Sequence, residues 1–498
     1  SLQQMKNKGN KEDKMRQLGT TPIFKLLLQQ SLPNIISLWS ISLYQLVNSM
    51  FVGKYLNEAG LAAQSVFSPI EYLTCTSLPV AYSIGAVSLI GPALGQNNIK
   101  LACTHLTQYL YWSLMYIAIV PALFLPFLDA ILRFMGAATD EILMYARQYA
   151  VVLLSVGPLV YTPNGGFLPL FRVENRAVTA MWVQISSSIL NLVLNFICFP
   201  TLGQKLHLYV PAMSTCLSLA ATGFYTCLNY FGCFKKSVLK FTAKVKPNCK
   251  TISTIVVQAF PQFLNALPNQ LGILIGNVQI KNYCKTKEQT KQLIACMSVF
   301  SNLSQIMLQP RQAVYLGFIS ILSFNVGSKN YKRVLELFRV GFWSSVVLVG
   351  LLTALMLGIA GFAATWFHGT PEFQAMAAKT FRIAAFGYPF GGPLMFCSGI
   401  YQMERRPVVA SVFQGMRLAV YIVLLVVIPL LFNIESIFYA FSIADTSTGL
   451  VGVICYWVIY RKYQKLEKAA AEPAEPSTVP ASEKAGETVE QDVLHGDK

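Results

Sequence analysis

The sequence predicts an all-α integral membrane protein. Twelve transmembrane helices form two six-helix lobes related by pseudo-twofold symmetry along the membrane normal. Three observations point there. Of the 498 residues, 54% are hydrophobic and only 12% charged, about half the ~25% charged content of a soluble domain. Uncharged runs long enough to cross a bilayer recur along the chain, each needing roughly 20 residues. The second half also repeats motifs of the first at a nearly constant offset, 228 to 232 residues.

Taken in order, residues 1–22 form a polar, basic segment without the apolar core of a signal peptide. Candidate spans come next at 23–52, 61–93, 103–128, 143–170, 177–200 and 207–233, the N-lobe. A basic linker, 234–252, carries Lys235, Lys236, Lys240, Lys244, Lys246 and Lys250 and no acid. The C-lobe, 253–460, holds spans at 253–280, 290–322, 337–367, 374–400, 408–432 and 436–460. Residues 461–498 are rich in Ala, Pro, Glu and Ser and are expected to be a disordered tail. Prolines within spans, Pro33 and Pro261 above all, are expected to kink them, because proline breaks a ladder hydrogen bond.

Orientation follows from the basic residues. The net charge of +17 would suggest nucleic acid in a soluble protein. Here lysines and arginines fall mainly in alternate loops. The expected partner is the lipid bilayer, with both termini and the linker cytoplasmic and no nucleic acid bound. Eleven cysteines are scattered, several in apolar runs (Cys75, Cys198, Cys216, Cys296, Cys397), and none forms a C-x-x-C pair. They read as buried thiols, not as metal or disulfide sites. No phosphate-binding loop and no metal-spaced histidines occur, so the chain is not expected to be an enzyme or to carry a cofactor.

The duplication is specific. Gly85, Ser88, Gly95, Asn98 and Lys100 align with Gly317, Ser320, Gly327, Asn330 and Lys332. Phe171-Arg-Val-Glu-Asn-Arg176 aligns with Tyr401-Gln-Met-Glu-Arg-Arg406, and Pro33 and Tyr55 align with Pro261 and Tyr283. Six spans per repeat is an even number, so both halves insert in the same sense, with a cleft between them.

On these residues, with Gln45-Leu-Val-Asn-Ser-Met-Phe-Val-Gly53, Leu190-Asn-Leu-Val-Leu-Asn195 and Ser442-Ile-Ala-Asp445, the chain resembles the MATE (multidrug and toxic compound extrusion) transporters, most closely the DinF-type branch. The resemblance runs from about residue 22 to 460. It implies export of organic cations or amphipathic compounds in exchange for protons or sodium, by alternating access, from a monomer in the plasma membrane. An alternative within the superfamily is a lipid-linked saccharide flippase, which would need a larger cleft with basic residues. A non-transporting receptor fits twelve duplicated spans poorly. Relatives often carry aspartate where this chain has Asn48 and Asn195, so their proton route cannot transfer intact: an amide releases no proton near neutral pH.

Candidate pathway residues are the polar groups inside spans, since such groups are costly in a bilayer. Glu71 reads as a site for a coupling ion or substrate cation, or as a carboxyl near the outer interface. Asp445 reads as an ion-coupling group or as a gating or packing group, with the hydroxyls after it as hydrogen-bond donors. Desolvation disfavours the charged form of either acid, which suits proton uptake. Asn191 and Asn195 share a helix face and, with Asn48, line a polar pocket or join helices. Gln258, Gln262, Asn265 and Asn269 keep the helical period in span 7, and Asn302, Gln305 and Gln309 in span 8; both stripes are expected to line the cleft. Arg417 is expected to pair with an acid or meet the cytoplasmic rim. Gly165-Gly166 and Gly391-Gly392 read as hinge or close-packing sites.

Overall fold

A computed structural model describes residues 16–137, 139–234, 237–242, 244–284, 286–365 and 371–471. Among these the regular structure is entirely helical, in twelve columns. The N-lobe comprises α1 (Ile23–Leu56), α2 (Ala59–Gly95), α3 (Ile99–Phe134), α4 (Asp140–Ser155 and Gly157–Val173, bent by 47°), α5 (Ala177–Leu206) and α6 (Tyr209–Tyr230). The C-lobe comprises α7 (Cys249–Tyr283), α8 (Lys287–Gly327), α9 (Tyr331–Thr365), α10 (Pro371–Ala385 and Gly392–Met403), α11 (Pro407–Leu431) and α12 (Tyr439–Ala471). Eight columns are long and apolar enough to cross a membrane on those grounds alone, and the bent α4 makes nine. In α7 and α8 the amide stripes lower the hydropathy. The protein is a multi-pass membrane protein.

Helical geometry runs unbroken from Ile23 to Glu71, yet the chain doubles back within it. Fifteen residues of straight helix would span about 22 Å, but Ser49 Oγ lies 3.4 Å from Gln64 Oε1. A Cβ on Gly53 would likewise lie 3.1 Å from the Leu61 side chain. α1 and α2 are therefore an antiparallel pair. α2 loosens into a π-helical stretch, Tyr72–Ser77, directly after Glu71 and between Pro69 and Pro79. α4 does the same at Thr162–Gly166, around Pro163. Each proline lacks an N–H, so the ladder must shift register to keep its neighbours bonded. Pro33 and Pro261, by contrast, lie inside uninterrupted helix. The breaks fall in α2, α4 and α10, not at those two prolines. Ser37 Oγ donates to the Pro33 carbonyl at 2.9 Å and so partners that oxygen locally.

The sequence repeat has a structural cause at its helix stops, caps and glycine crossings. Asn97, Asn175, Lys329 and Arg405 all take positive φ, 54° to 60°. Each ends a helix in the same way. The N–H of Asn98 reaches the Ala93 carbonyl, and Arg176, Asn330 and Arg406 reach Phe171, Asn325 and Tyr401. This six-to-one bond with a left-handed residue is a Schellman stop. Asn98 and Asn330 then cap the next helix, accepting from the N–H of Leu101 and Arg333. The matched glycines are contact points between lobes. A Cβ on Gly85 would lie 2.4 Å from the Ile255 carbonyl oxygen of α7. One on Gly317 would lie 3.0 Å from Ser31 Oγ of α1. A Cβ on Gly95 would lie 2.1 Å from the Phe324 carbonyl oxygen, and one on Gly327 would lie 2.2 Å from the Pro92 Cα. Only hydrogen fits in such crossings.

The lobes touch at one end. An apolar core there draws on both, with Ile84, Leu89, Phe171, Phe318, Leu322 and Phe396 among its members. Beyond it each lobe has its own core, around Phe67, Tyr149 and Leu153 in one and around Phe300, Phe381 and Phe438 in the other. Hydrogen bonds that cross run from Arg333 Nη2 donating to the Thr21 carbonyl (2.7 Å) through Asn34 Nδ2 to Ala313 (3.3 Å) and Trp39 Nε1 to Ile306 (3.2 Å).

The repeated glutamates tie down the segment after each lobe. Glu174 accepts from Ser237 Oγ and from the N–H groups of Val238 (2.8 Å) and Leu239 (2.7 Å), with Arg176 at 3.3 Å. It thereby holds the interlobe linker. Glu404 accepts from Lys462 Nζ (2.7 Å) and Tyr463 OH (2.6 Å). This explains a departure from expectation: residues 461–471, expected to belong to a disordered tail, continue α12 as helix to Ala471. Residues 472–498, and most of the N-terminal segment, lie outside the described residues.

Candidate functional site

In the N-lobe the three asparagines converge. Asn195 Nδ2 donates to Asn48 Oδ1 and, at 3.0 Å, to Asn191 Oδ1. Asn191 Nδ2 donates onward to Thr215 Oγ1 at 3.1 Å. All three amides are buried. The chain links α1, α5 and α6 through side-chain hydrogen bonds and leaves Asn195 Oδ1 without a partner, which fits helix joining better than an open pocket.

Glu71 stands apart from that chain. Tyr161 OH donates to its Oε1 at 3.1 Å. The buried Tyr44, Tyr149 and Cys216 also lie within its electrostatic reach. The residue is half-buried, placed where α2 loosens into its π turn. None of the ion pairs among the described residues involves it. A carboxylate among phenols with no counter-cation attracts a proton, a metal cation or an ammonium group.

In the C-lobe the arrangement is the reverse. Asp445 is buried, and Arg417 Nε donates to its Oδ1 at 2.7 Å. Arg311 Nη1 lies 3.6 Å from Oδ2. The hydroxyls after Asp445 do not serve it: Ser447 and Thr448 donate to the Ala444 carbonyl, one turn back in their own helix. Arg417 meets an acid, the first of the two expectations for it. Arg311, which follows the span-8 stripe in the sequence and was given no role there, stands as a second guanidinium against Asp445. Its signal is a formal charge inside a span.

The amide stripes divide. Asn269 and Gln305 line a cavity of about 20 Å³ with Ser304, Tyr388, Arg417 and Asp445. Gln258 and Gln262 are buried in packing, and Gln402 Nε2 donates to the Gln258 carbonyl at 2.6 Å. Gln309 crosses to the other lobe, donating to Ser42 Oγ at 3.5 Å. Asn265 is half-buried. The side chain of Asn302 lies outside the described residues. The described amides are thus interior, as the cost of amides in lipid requires, but of the two stripes Asn269 and Gln305 are the members that line the cavity. The second glycine pair belongs there too. A Cβ on Gly391 would lie 2.2 Å from Arg311 Nη1, so that turn is shaped around the guanidinium.

Twelve helical columns in two duplicated lobes, joined at one end and each holding its own buried polar group, define a two-lobed membrane transporter fold. The sequence model of the MatE family matches residues 33–197 and 290–428, and the chain belongs to that family. Similar proteins include "Multidrug export protein MepA" of Staphylococcus haemolyticus (strain JCSC1435), 23% identical over 453 residues, covering 89% of this chain and 92% of the relative. "Probable multidrug resistance protein YoeA" of Bacillus subtilis (strain 168) is 22% identical over 384 residues, covering 75% and 80%. Among solved structures, "Outward-facing conformation of a multidrug resistance MATE family transporter of the MOP superfamily" matches with a TM-score of 0.82 at 19% identity, covering 90% of this chain and 98% of that one. "Crystal structure of MATE in complex with MaL6" matches with the same TM-score and identity, covering 90% and 99%.

Proposed function

We propose that this chain is a multidrug efflux antiporter, exporting organic cations or amphipathic compounds in exchange for protons or sodium by alternating access. The single observation that carries the reading is Glu71, a half-buried carboxylate that enters no ion pair among the described residues. A site that must bind a coupling ion and then release it needs a carboxylate that is not already neutralised. Asp445 is held by two guanidiniums and is a poor candidate for that role, so coupling is assigned to Glu71. The asparagine chain of Asn48, Asn191 and Asn195 supports the N-lobe helices without exchanging protons.

Basic residues are rich in the loops and helix ends at the joined end: Lys100, Arg172, Arg176, the linker, Lys329, Lys332, Arg405 and Arg406. The positive-inside rule places that end in the cytoplasm. The chain is then shut inwards and parted outwards, the state from which cargo leaves. The plasma membrane and a monomer belong to the same reading. Purified protein in vesicles tests it: an imposed proton or sodium gradient drives efflux of a fluorescent organic cation, and a labelled lipid headgroup is not translocated. The opposite pattern favours a flippase.

A further inference from the structure

The outer surface of the C-lobe is not evenly filled. Between α7 and α11 lies a groove of about 550 Å³, within the ~300–1,000 Å³ range of ligand pockets. Val257, Phe260 and Leu264 of α7 form one wall, and Val408 and Val412 of α11 the other. Apart from Ser411, every residue lining it is apolar. The groove opens at Pro407, the first residue of α11. It closes where the two helices meet again, with Leu264 Cδ1 3.8 Å from the place of a Cβ on Gly415. Val257, Phe260, Val408 and Val412 are exposed, so nothing from this chain covers it.

Its length and its charge both point to a lipid. From Val256 to Leu264 the groove runs about 12 Å along α7. One leaflet of a bilayer offers about 15 Å of hydrocarbon, half of the ~30 Å core. Positive charge gathers at the open end. Arg405 and Arg406 directly precede Pro407, and Lys250 lies seven residues before Val257, two turns away on the same helix face. All three are exposed, and none enters an ion pair among the described residues. The acid next to them in sequence, Glu404, is engaged by Lys462 and Tyr463. Exposed cations at the mouth of an apolar trough match an anionic head on a hydrocarbon tail.

We propose that the groove between α7 and α11 is a binding site for an anionic phospholipid. One acyl chain lies along Val257, Phe260 and Val412, and the phosphate sits at Arg405 and Arg406. Under the orientation given above, the lipid comes from the cytoplasmic leaflet. The site does not depend on the transport reading or on Glu71, so either can fail alone. Its place has a consequence for the lobes. The opposite side of α7 makes an interlobe crossing, where the Ile255 carbonyl oxygen lies 2.4 Å from the place of a Cβ on Gly85. A lipid in the groove therefore braces a helix that holds the joined end.

Purified full-length protein in detergent tests the proposal by native mass spectrometry. Phosphatidylglycerol and phosphatidylcholine of the same chain length are titrated separately. Saturable uptake of phosphatidylglycerol, about fivefold or more tighter than phosphatidylcholine, supports the site. Arg405→Gln combined with Arg406→Gln should remove that preference and leave phosphatidylcholine uptake unchanged. Val412→Trp fills the groove from an exposed position, so it should fold and should weaken uptake of both lipids. Val193→Trp, on an exposed position of α5, should change neither. Equal affinity for the two lipids in the wild type, or unchanged uptake in Val412→Trp, overturns the proposal. So does an equal loss in Val193→Trp. A wild-type dimer that Val412→Trp dissolves also overturns it, because a second copy of the chain would then fill the groove.

Discussion

Replacing Asp445 with asparagine keeps the side chain's shape and removes the only carboxylate between two buried arginines. Arg417 loses the acceptor at 2.7 Å and Arg311 the counter-charge at 3.6 Å. Breaking one buried pair costs about 3–5 kcal/mol, because the partner is left charged in a low dielectric. Here two cations are left, so the cost should lie at the upper end of that range. The reasoning makes a second, sharper claim. Arg311→Gln alone should be near neutral, since it removes the surplus charge and spares the tight pair. Combined with Asp445→Asn, it should recover a measurable part of the loss, because one of the two stranded cations is gone. Denaturant unfolding of the purified variants in detergent measures all three. The reasoning is refuted if Asp445→Asn unfolds at the wild-type midpoint, or if the double variant is no more stable than Asp445→Asn.

Three further outcomes rest on named contacts. Asn48→Ala removes one of the two acceptors of the Asn195 amide and should cost about 1–3 kcal/mol, the penalty of a buried N–H left alone, without altering which ion drives transport; unfolding and gradient assays read the two halves. Gly95→Ala puts a methyl within 2.1 Å of the Phe324 carbonyl oxygen, so the lobes must part at their joined end; accessibility of a cysteine placed at Ser328 should rise in that variant. Glu174→Ala leaves the N–H groups of Val238 and Leu239 without their acceptor, so limited proteolysis of the linker should quicken several-fold while α1–α6 stay protected.

Much of this architecture was legible because bilayer physics is strict. Uncharged runs, the lysine linker and the 228-to-232 offset are properties of sequence, and they map directly onto columns and lobes. The matched residues proved legible for a reason the pattern did not state. Gly85 and Gly317, Asn98 and Asn330, and Glu174 and Glu404 do the same mechanical task in each half. The i, i+4 spacing of Asn191 and Asn195 correctly placed them on one face with Asn48.

Partners were harder. Periodicity gives the face of a helix but not what stands opposite, so the convergence of Arg311 and Arg417 on Asp445 from three helices was only half seen. The split of the amide stripe has the same cause: Gln258 and Asn269 share a helix, yet one packs against Gln402 and the other faces the cavity. The sequence does not say which prolines shift the helical register, because proline removes a donor without dictating how the ladder adjusts. Helix survives at Pro33 and Pro261, while α2 and α4 change register. The helical extension past residue 460 depends on Glu404, which composition alone does not reveal.

The central claim is that the unpaired acid of the N-lobe, and not the doubly paired acid of the C-lobe, exchanges the driving ion. Its most direct measurement is initial efflux of a fluorescent cation from vesicles holding Glu71→Gln at matched protein density, under proton and sodium gradients imposed separately. The account predicts that efflux no longer responds to either gradient, although the variant folds and inserts as the wild type does. Wild-type, gradient-dependent rates in Glu71→Gln would contradict it.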